Sequence, residues 1–147
     1  MTMRMLRPMF LALGLMFMVL SLTGCADNNK AEQLMTDLET EQNKIYDALK
    51  EFDDPNEIDD IMAQLEDVRT RMNELGEDHQ DTRVTESTKE RLLEEQKEFN
   101  ETWQADVQKE IIRISLNPEL QPLLEEKIAP KMEQIGQEMQ GWASKNG

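Results

Sequence analysis

The chain has 147 residues, of which 31 are acidic, 16 basic, one cysteine and one histidine, for a formal net charge of −15. So large an excess of carboxylates repels nucleic-acid phosphates and anionic lipid head groups, which argues against both as partners. A single cysteine excludes an intrachain disulfide, and one cysteine with one histidine leaves little for nucleophilic or metal chemistry.

No acidic residue precedes Cys25, and the opening MTMRMLR carries Arg4 and Arg7. From Pro8 to Leu20 the chain is almost wholly Leu, Met, Phe, Ala and Val. That run falls short of the roughly twenty residues needed to cross a bilayer as a helix, so it reads as the apolar region of a cleavable export signal. It ends in Leu22-Thr23-Gly24-Cys25, an apolar residue and two small ones before the cysteine. The stretch resembles the lipobox of bacterial lipoproteins. The resemblance implies a diacylglycerol on the Cys25 sulfur, cleavage by signal peptidase II before it, and a further acyl chain on the new amino group. Cys25 is then an anchor point, and several acyl chains, at about 0.8 kcal/mol per buried methylene, hold stably where one is marginal. In lipoproteins Asp directly after the cysteine tends to mark retention in the inner membrane. Here Ala26 stands there and Asp27 one place later, so the resemblance implies the periplasmic face of the outer membrane.

Three parts follow: residues 1–24 as the cleaved signal, 25–29 as lipidated cysteine and short tether, and 30–147 as an acidic α-helical domain. All 31 acidic but only 14 of the 16 basic residues lie after the cut, so the mature chain carries −17.

Four helical segments are expected in that domain. The first runs from about Lys30 to Phe52, with Ala31, Leu38, Ile45 and Phe52 seven apart and Leu34, Met35, Ala48 and Leu49 on the same side. Asp54-Pro55-Asn56-Glu57 opens the second: Asp54 can accept from first-turn amides, Pro55 suits the first helical position, and Glu57 stands where a capping box places an acid. Ile58, Ile61, Leu65, Val68, Met72 and Leu75 then alternate by three and four, and Gly76 reads as a left-handed cap. The turn between these segments is short enough to make them an antiparallel hairpin. Residues 76–87 read as a loop, with Ser87 and Glu90 as a second capping box. A long third segment follows to about Leu116, its inner side formed by Leu92, Leu93, Phe99, Trp103, Val107, Ile111 and Ile114. Asn117-Pro118 breaks it. The fourth carries Leu120, Leu124, Ile128, Met132, Ile135, Met139 and Trp142, should bend or divide at Pro130, and should fray over Ser144–Gly147. The fold class is all-α, a small helical bundle or a helical hairpin with additional packed helices.

Chemistry finds no foothold in this pattern. No G-x-S-x-G exists, and the residue three before His79 is Gly76, where a di-iron bundle needs an acid. Asp53–Asp60 lacks the glycine and spacing of a calcium loop and reads as a helix cap. No catalytic residue, metal or cofactor beyond the Cys25 lipid is expected, and the chain reads as a non-enzyme. Trp103, Trp142 and the methionines Met35, Met62, Met72, Met132 and Met139 sit at core spacing and read first as packing residues; of the two tryptophans Trp142, on a weakly specified helix end, is the better candidate partner contact. The reading that follows is a membrane-anchored scaffold or protein-interaction module, whose partner is another envelope protein or itself. Two alternatives stand beside it. One is a periplasmic chaperone with an open helical cradle. The other is a structural envelope lipoprotein, whose wall-linked type ends in lysine, whereas Lys145 here is followed by Asn146 and Gly147.

Overall fold

The computed structural model describes residues 21–22, 27–79 and 82–145. The signal reading of residues 1–20, the lipobox residues Thr23, Gly24 and Cys25, and the last two residues of the expected fray lie outside that set.

The fold is all-α. Its elements are β1 (Ser21–Leu22), α1 (Asn28–Glu51), a 3₁₀ turn (Pro55–Glu57) leading into α2 (Ile58–Asp78), β2 (Arg83–Val84), α3 (Glu86–Ser115), the single turn α4 (Gln121–Leu123), a π-helical turn (Leu124–Ile128) and α5 (Ala129–Lys145). The last three follow one another without a gap, so four helical rods result. Beside them the described residues hold one two-residue parallel pairing, Ser21 with Arg83 and Leu22 with Val84.

Helix boundaries follow local chemistry, with two departures from expectation. At α1 the Asp27 carboxylate accepts from the Lys30 amide at 3.2 Å. Asp54 caps the second segment through the Asn56 amide at 2.9 Å, with Pro55 at the first position as expected. Gly76, however, does not end its helix: α2 continues to Asp78, and no described glycine has positive φ. Nor does Ser87 open α3, because the chain turns helical at Glu86 with Thr85 as its cap residue. Thr85 Oγ1 donates to Thr88 Oγ1 at 3.0 Å instead of accepting from a backbone amide. Where a bend or a division is expected, the fourth rod does not divide at Pro130. The turn before it widens, with the Ala129 amide bonded to the Leu124 carbonyl five residues back, which makes room for a residue that has no amide hydrogen.

α1 packs on both α2 and α3, α2 packs on α5, and the π turn returns to α3. Side-chain links give the directions. Arg71 faces Asp37 across an antiparallel α1/α2 hairpin, as the short turn requires. By contrast α1 and α3 run parallel: Asn28 meets Thr85, Gln42 meets Asn100, and Asp53 meets Arg113. Likewise α2 and α5 are parallel, with Glu66 meeting Lys131 and Asn73 meeting Glu138. The segment 79–85 therefore carries the chain across the bundle end from α2 to α3. We call this end, which holds the starts of α1 and α3 and the finishes of α2 and α5, the proximal end. The opposite end is the tip.

One apolar core runs the length of the bundle, from Ala31 and Leu34 through Ile45, Leu65 and Trp103 to Leu120, Leu124 and Ile135. The apolar positions expected at three-and-four spacing are buried or packed against this core, Trp142 among the partly buried ones.

Candidate functional site

The start of the domain is bonded into the fold rather than trailing from it. The Asp27 amide donates to the Arg83 carbonyl at 2.7 Å. Asn28 makes a reciprocal pair with Thr85: its Oδ1 accepts from the Thr85 amide at 3.2 Å, and its Nδ2 donates to Thr85 Oγ1 at 3.4 Å. One turn further, Arg91 of α3 donates to Glu32 of α1 and, at 3.1 Å, to Glu95. Hydrogen bonding to Glu32 raises the Arg91 pKa above its ordinary range. Residues 27–32 are thus tied to β2 and the start of α3, and only Ala26 separates them from Cys25.

His79 lies at the same end, half-buried, with Nδ1 3.2 Å from Thr82 Oγ1. Burial pushes its pKa below the ordinary histidine value, against the upward pull of the Asp78 and Asp37 carboxylates. The ring is therefore neutral at pH 7, and it serves the turn from α2 to β2. Among the described residues no group of three His, Cys, Asp or Glu side chains is placed to hold a metal ion. None of the described helices is long and apolar enough to cross a membrane.

Trp142 is half-buried in a fixed setting. A Cβ built on Gly76 meets its ring at 2.7 Å, so the indole lies directly on the glycine backbone of α2. Its Nε1 donates to Asn73 Oδ1 at 2.8 Å. Asn73 in turn donates to Glu138 at 2.9 Å, and Glu138 takes a forked pair from Arg69 at 2.8 and 2.6 Å. Arg69 also reaches Glu66 at 2.8 Å, and Lys131 bonds the other Glu66 oxygen at 2.6 Å. Hydrogen bonds from Lys131 first and Arg69 second hold the Glu66 carboxyl below its usual pKa, and those from Arg69 and then Asn73 do the same for Glu138. Six side chains thus form one charged seam between α2 and α5.

A second polar set lies inside the α1/α3 seam. Gln42 and Asn100 are buried and bonded to each other at 3.0 Å, and the Trp103 indole donates to the Gln42 carbonyl at 2.7 Å. At the tip, Arg113 covers the end of α1, donating to the carbonyls of Leu49, Lys50 and Phe52 and to Asp53 Oδ1. Helix ends leave such carbonyls without intrahelical partners, and a guanidinium there also meets the negative end of the helix dipole. The exposed large apolar side chains among the described residues are at this tip, Ile112 at 36% and Leu116 at 78%.

Shallow grooves run beside two of the helix seams. One of ≈ 430 Å³ between α1 and α2 is lined by Glu41, Lys44, Gln64, Asp67, Val68 and Arg71. The other, ≈ 360 Å³, lies beside Trp142 and the α2/α5 seam. Both are lined by groups of mixed charge, some of them paired, as Lys44 with Glu41 and Arg69 with Glu138, which suits a solvated seam more than a substrate pocket. No family model, curated protein or solved structure matches this chain.

Sequence reasoning missed Gln42, Asn100, Arg113 and the packing role of Gly76. The first two did leave a signal: Leu38, Gln42, Ile45, Leu49 and Leu92, Gln96, Asn100, Trp103 put polar residues on the core stripe.

Proposed function

We propose that the chain is an envelope lipoprotein, held through lipid on Cys25 at the periplasmic face, with the outer membrane as its site. There its acidic bundle serves as a non-enzymatic scaffold or protein-interaction module. The observation that carries the reading is the placement of the helical domain's start: Asp27, which caps α1, lies two residues after the lipobox cysteine and is bonded to β2, with Asn28 bonded to Thr85 beside it, while β1 lies in the stretch that the cut would remove. A lipid there holds a whole folded body at the membrane. Against the chaperone alternative stands the closed core: among the described residues the apolar stripes are covered, and exposed large apolar groups are confined to Ile112 and Leu116. An open cradle needs a contiguous apolar face.

The test is metabolic palmitate labelling of the full chain and of Cys25→Ser. Labelling of the parent, lost in the variant, is the expected result. An unlabelled parent, or label that persists in the variant, sinks the anchor. The partner is then sought by cross-linking the lipidated form in cells, where one dominant envelope partner or the chain itself fits a scaffold. A spread of unrelated clients fits a chaperone.

A further inference from the structure

We propose that the bundle stands on the membrane by its proximal end, with lipid head groups as the surface that end faces, and holds its tip a full helix length away. The proposal rests on the lipoprotein reading above and deepens it.

Chain reach comes first. Two residues extended span about 7 Å, so a lipid on Cys25 confines Asp27 to the head-group layer or just above it. A tether of that length permits the bundle to tumble only if it can swivel at its attachment. Here the attachment is bonded to two other elements, through the Asp27 amide to Arg83 and through the paired Asn28 and Thr85 groups. Turning the bundle over would break these contacts or press the side of α1 into the head groups. Because α1 and α3 are parallel and start together, both rise from the same end. The 30 residues of α3 make it about 45 Å long from end to end.

Charge supplies a second, independent reason. Among the described residues, the stretches that form the proximal end, residues 27–32, 77–79, 82–91 and 140–142, hold six acidic and four basic residues. Those that form the tip, residues 50–60 and 109–127, hold ten acidic against four basic. Repulsion from an anionic surface falls off within roughly 8 Å at physiological salt, so it acts only on the end that lies nearest. The more balanced end meets the lipid at lower cost, and the acidic tip, with Leu116 exposed on it, is directed away.

The experiment uses the full lipidated chain purified from cells and placed in vesicles of zwitterionic lipid carrying a head-group acceptor dye. Single donor dyes sit on Glu77→Cys at the proximal end and Leu116→Cys at the tip, both exposed positions. Energy transfer several-fold greater from position 77 than from 116 is expected. Inserting about twenty Gly/Ser residues after Ala26, a coil of roughly 25 Å, should abolish the difference. Equal or reversed transfer in a chain that floats with the vesicles overturns the upright orientation and leaves the anchor standing. A chain that does not float overturns the anchor and the orientation with it. If the difference survives the inserted linker, the docked tether is not its cause and that part of the proposal fails.

Discussion

The contact between Gly76 and Trp142 makes a quantitative prediction. An alanine Cβ at position 76 falls 2.7 Å from Cγ and Cδ2 of the indole and 2.8 Å from Cδ1. Carbon atoms at rest sit roughly 3.5–4.0 Å apart, so the ring has to retreat by about 1 Å. That stretches the 2.8 Å bond from Trp142 Nε1 to Asn73 beyond hydrogen-bond range. Overpacking of this kind costs about 1–3 kcal/mol and the lost bond about 1 more, against roughly 1 kcal/mol gained from replacing glycine inside a helix. Gly76→Ala should therefore destabilise the chain by about 1–3 kcal/mol. In a Trp142→Ala background the clash is gone, and the same substitution should stabilise by about 1 kcal/mol. Urea unfolding of the four chains of this cycle measures the coupling, expected at roughly 2–4 kcal/mol. Equal effects of Gly76→Ala in both backgrounds would refute the contact and the account of Gly76 as a seat for the indole.

Three further outcomes follow from the seams. Arg113→Ala should cost about 1–3 kcal/mol, and Arg113→Lys should recover little of it, because an ammonium cannot reach three carbonyls and Asp53 at once; full rescue in thermal unfolding would count against the cap. Asn100→Leu should leave buried Gln42 without its partner and destabilise by about 1–3 kcal/mol, whereas adding Gln42→Leu should restore most of the loss; a double variant weaker than the single refutes the pairing. For the α2/α5 seam, the folded pKa of Glu138 is depressed by Arg69, so its contribution is present above the ordinary carboxylate pKa and disappears as pH falls through the folded value. Glu138→Gln should thus lower the melting temperature at neutral pH and do so progressively less as pH falls below the ordinary carboxylate pKa, and an unchanged effect down the acid limb would count against the charged seam.

The rods were legible because burial of a helix face leaves a period in the sequence, and apolar residues recur at three and four in each. The cap at Asp54-Pro55 was legible because its partner is two residues away. Gly76 was misread for the complementary reason. A glycine after the last apolar position of a stripe has the same local signature whether it ends a helix or makes room for a neighbour, and that neighbour, Trp142, lies far along the chain. Pro130 showed that the fourth rod must yield, but not that one π turn would absorb the misfit within a continuous helix. The lipobox resemblance at Leu22–Cys25 rests on the sequence alone, because the order of residue types in a short linear stretch is what carries it.

Hairpin geometry explains where the polar links were placed. The turn between α1 and α2 fixes those helices as antiparallel neighbours, and their seam carries one distant ion pair, Asp37 with Arg71 at 4.0 Å. No short turn can join parallel helices, so nothing covalent makes α1 choose α3 or α2 choose α5. Apolar stripes of similar width would serve almost equally well in another pairing or one turn out of register. The specific bonds are concentrated on those two seams: Gln42 with Asn100 and Trp103 within one, Arg69, Asn73 and Glu138 within the other, and Arg113 and Asn28 at the ends. A single polar pair in an apolar seam can fix helix register in just this way. Register, in turn, sets which bundle end carries the tether, since Asn28 can bond Thr85 only while α1 and α3 start level. The same residues that choose the fold therefore also settle how a lipid on Cys25 would present it.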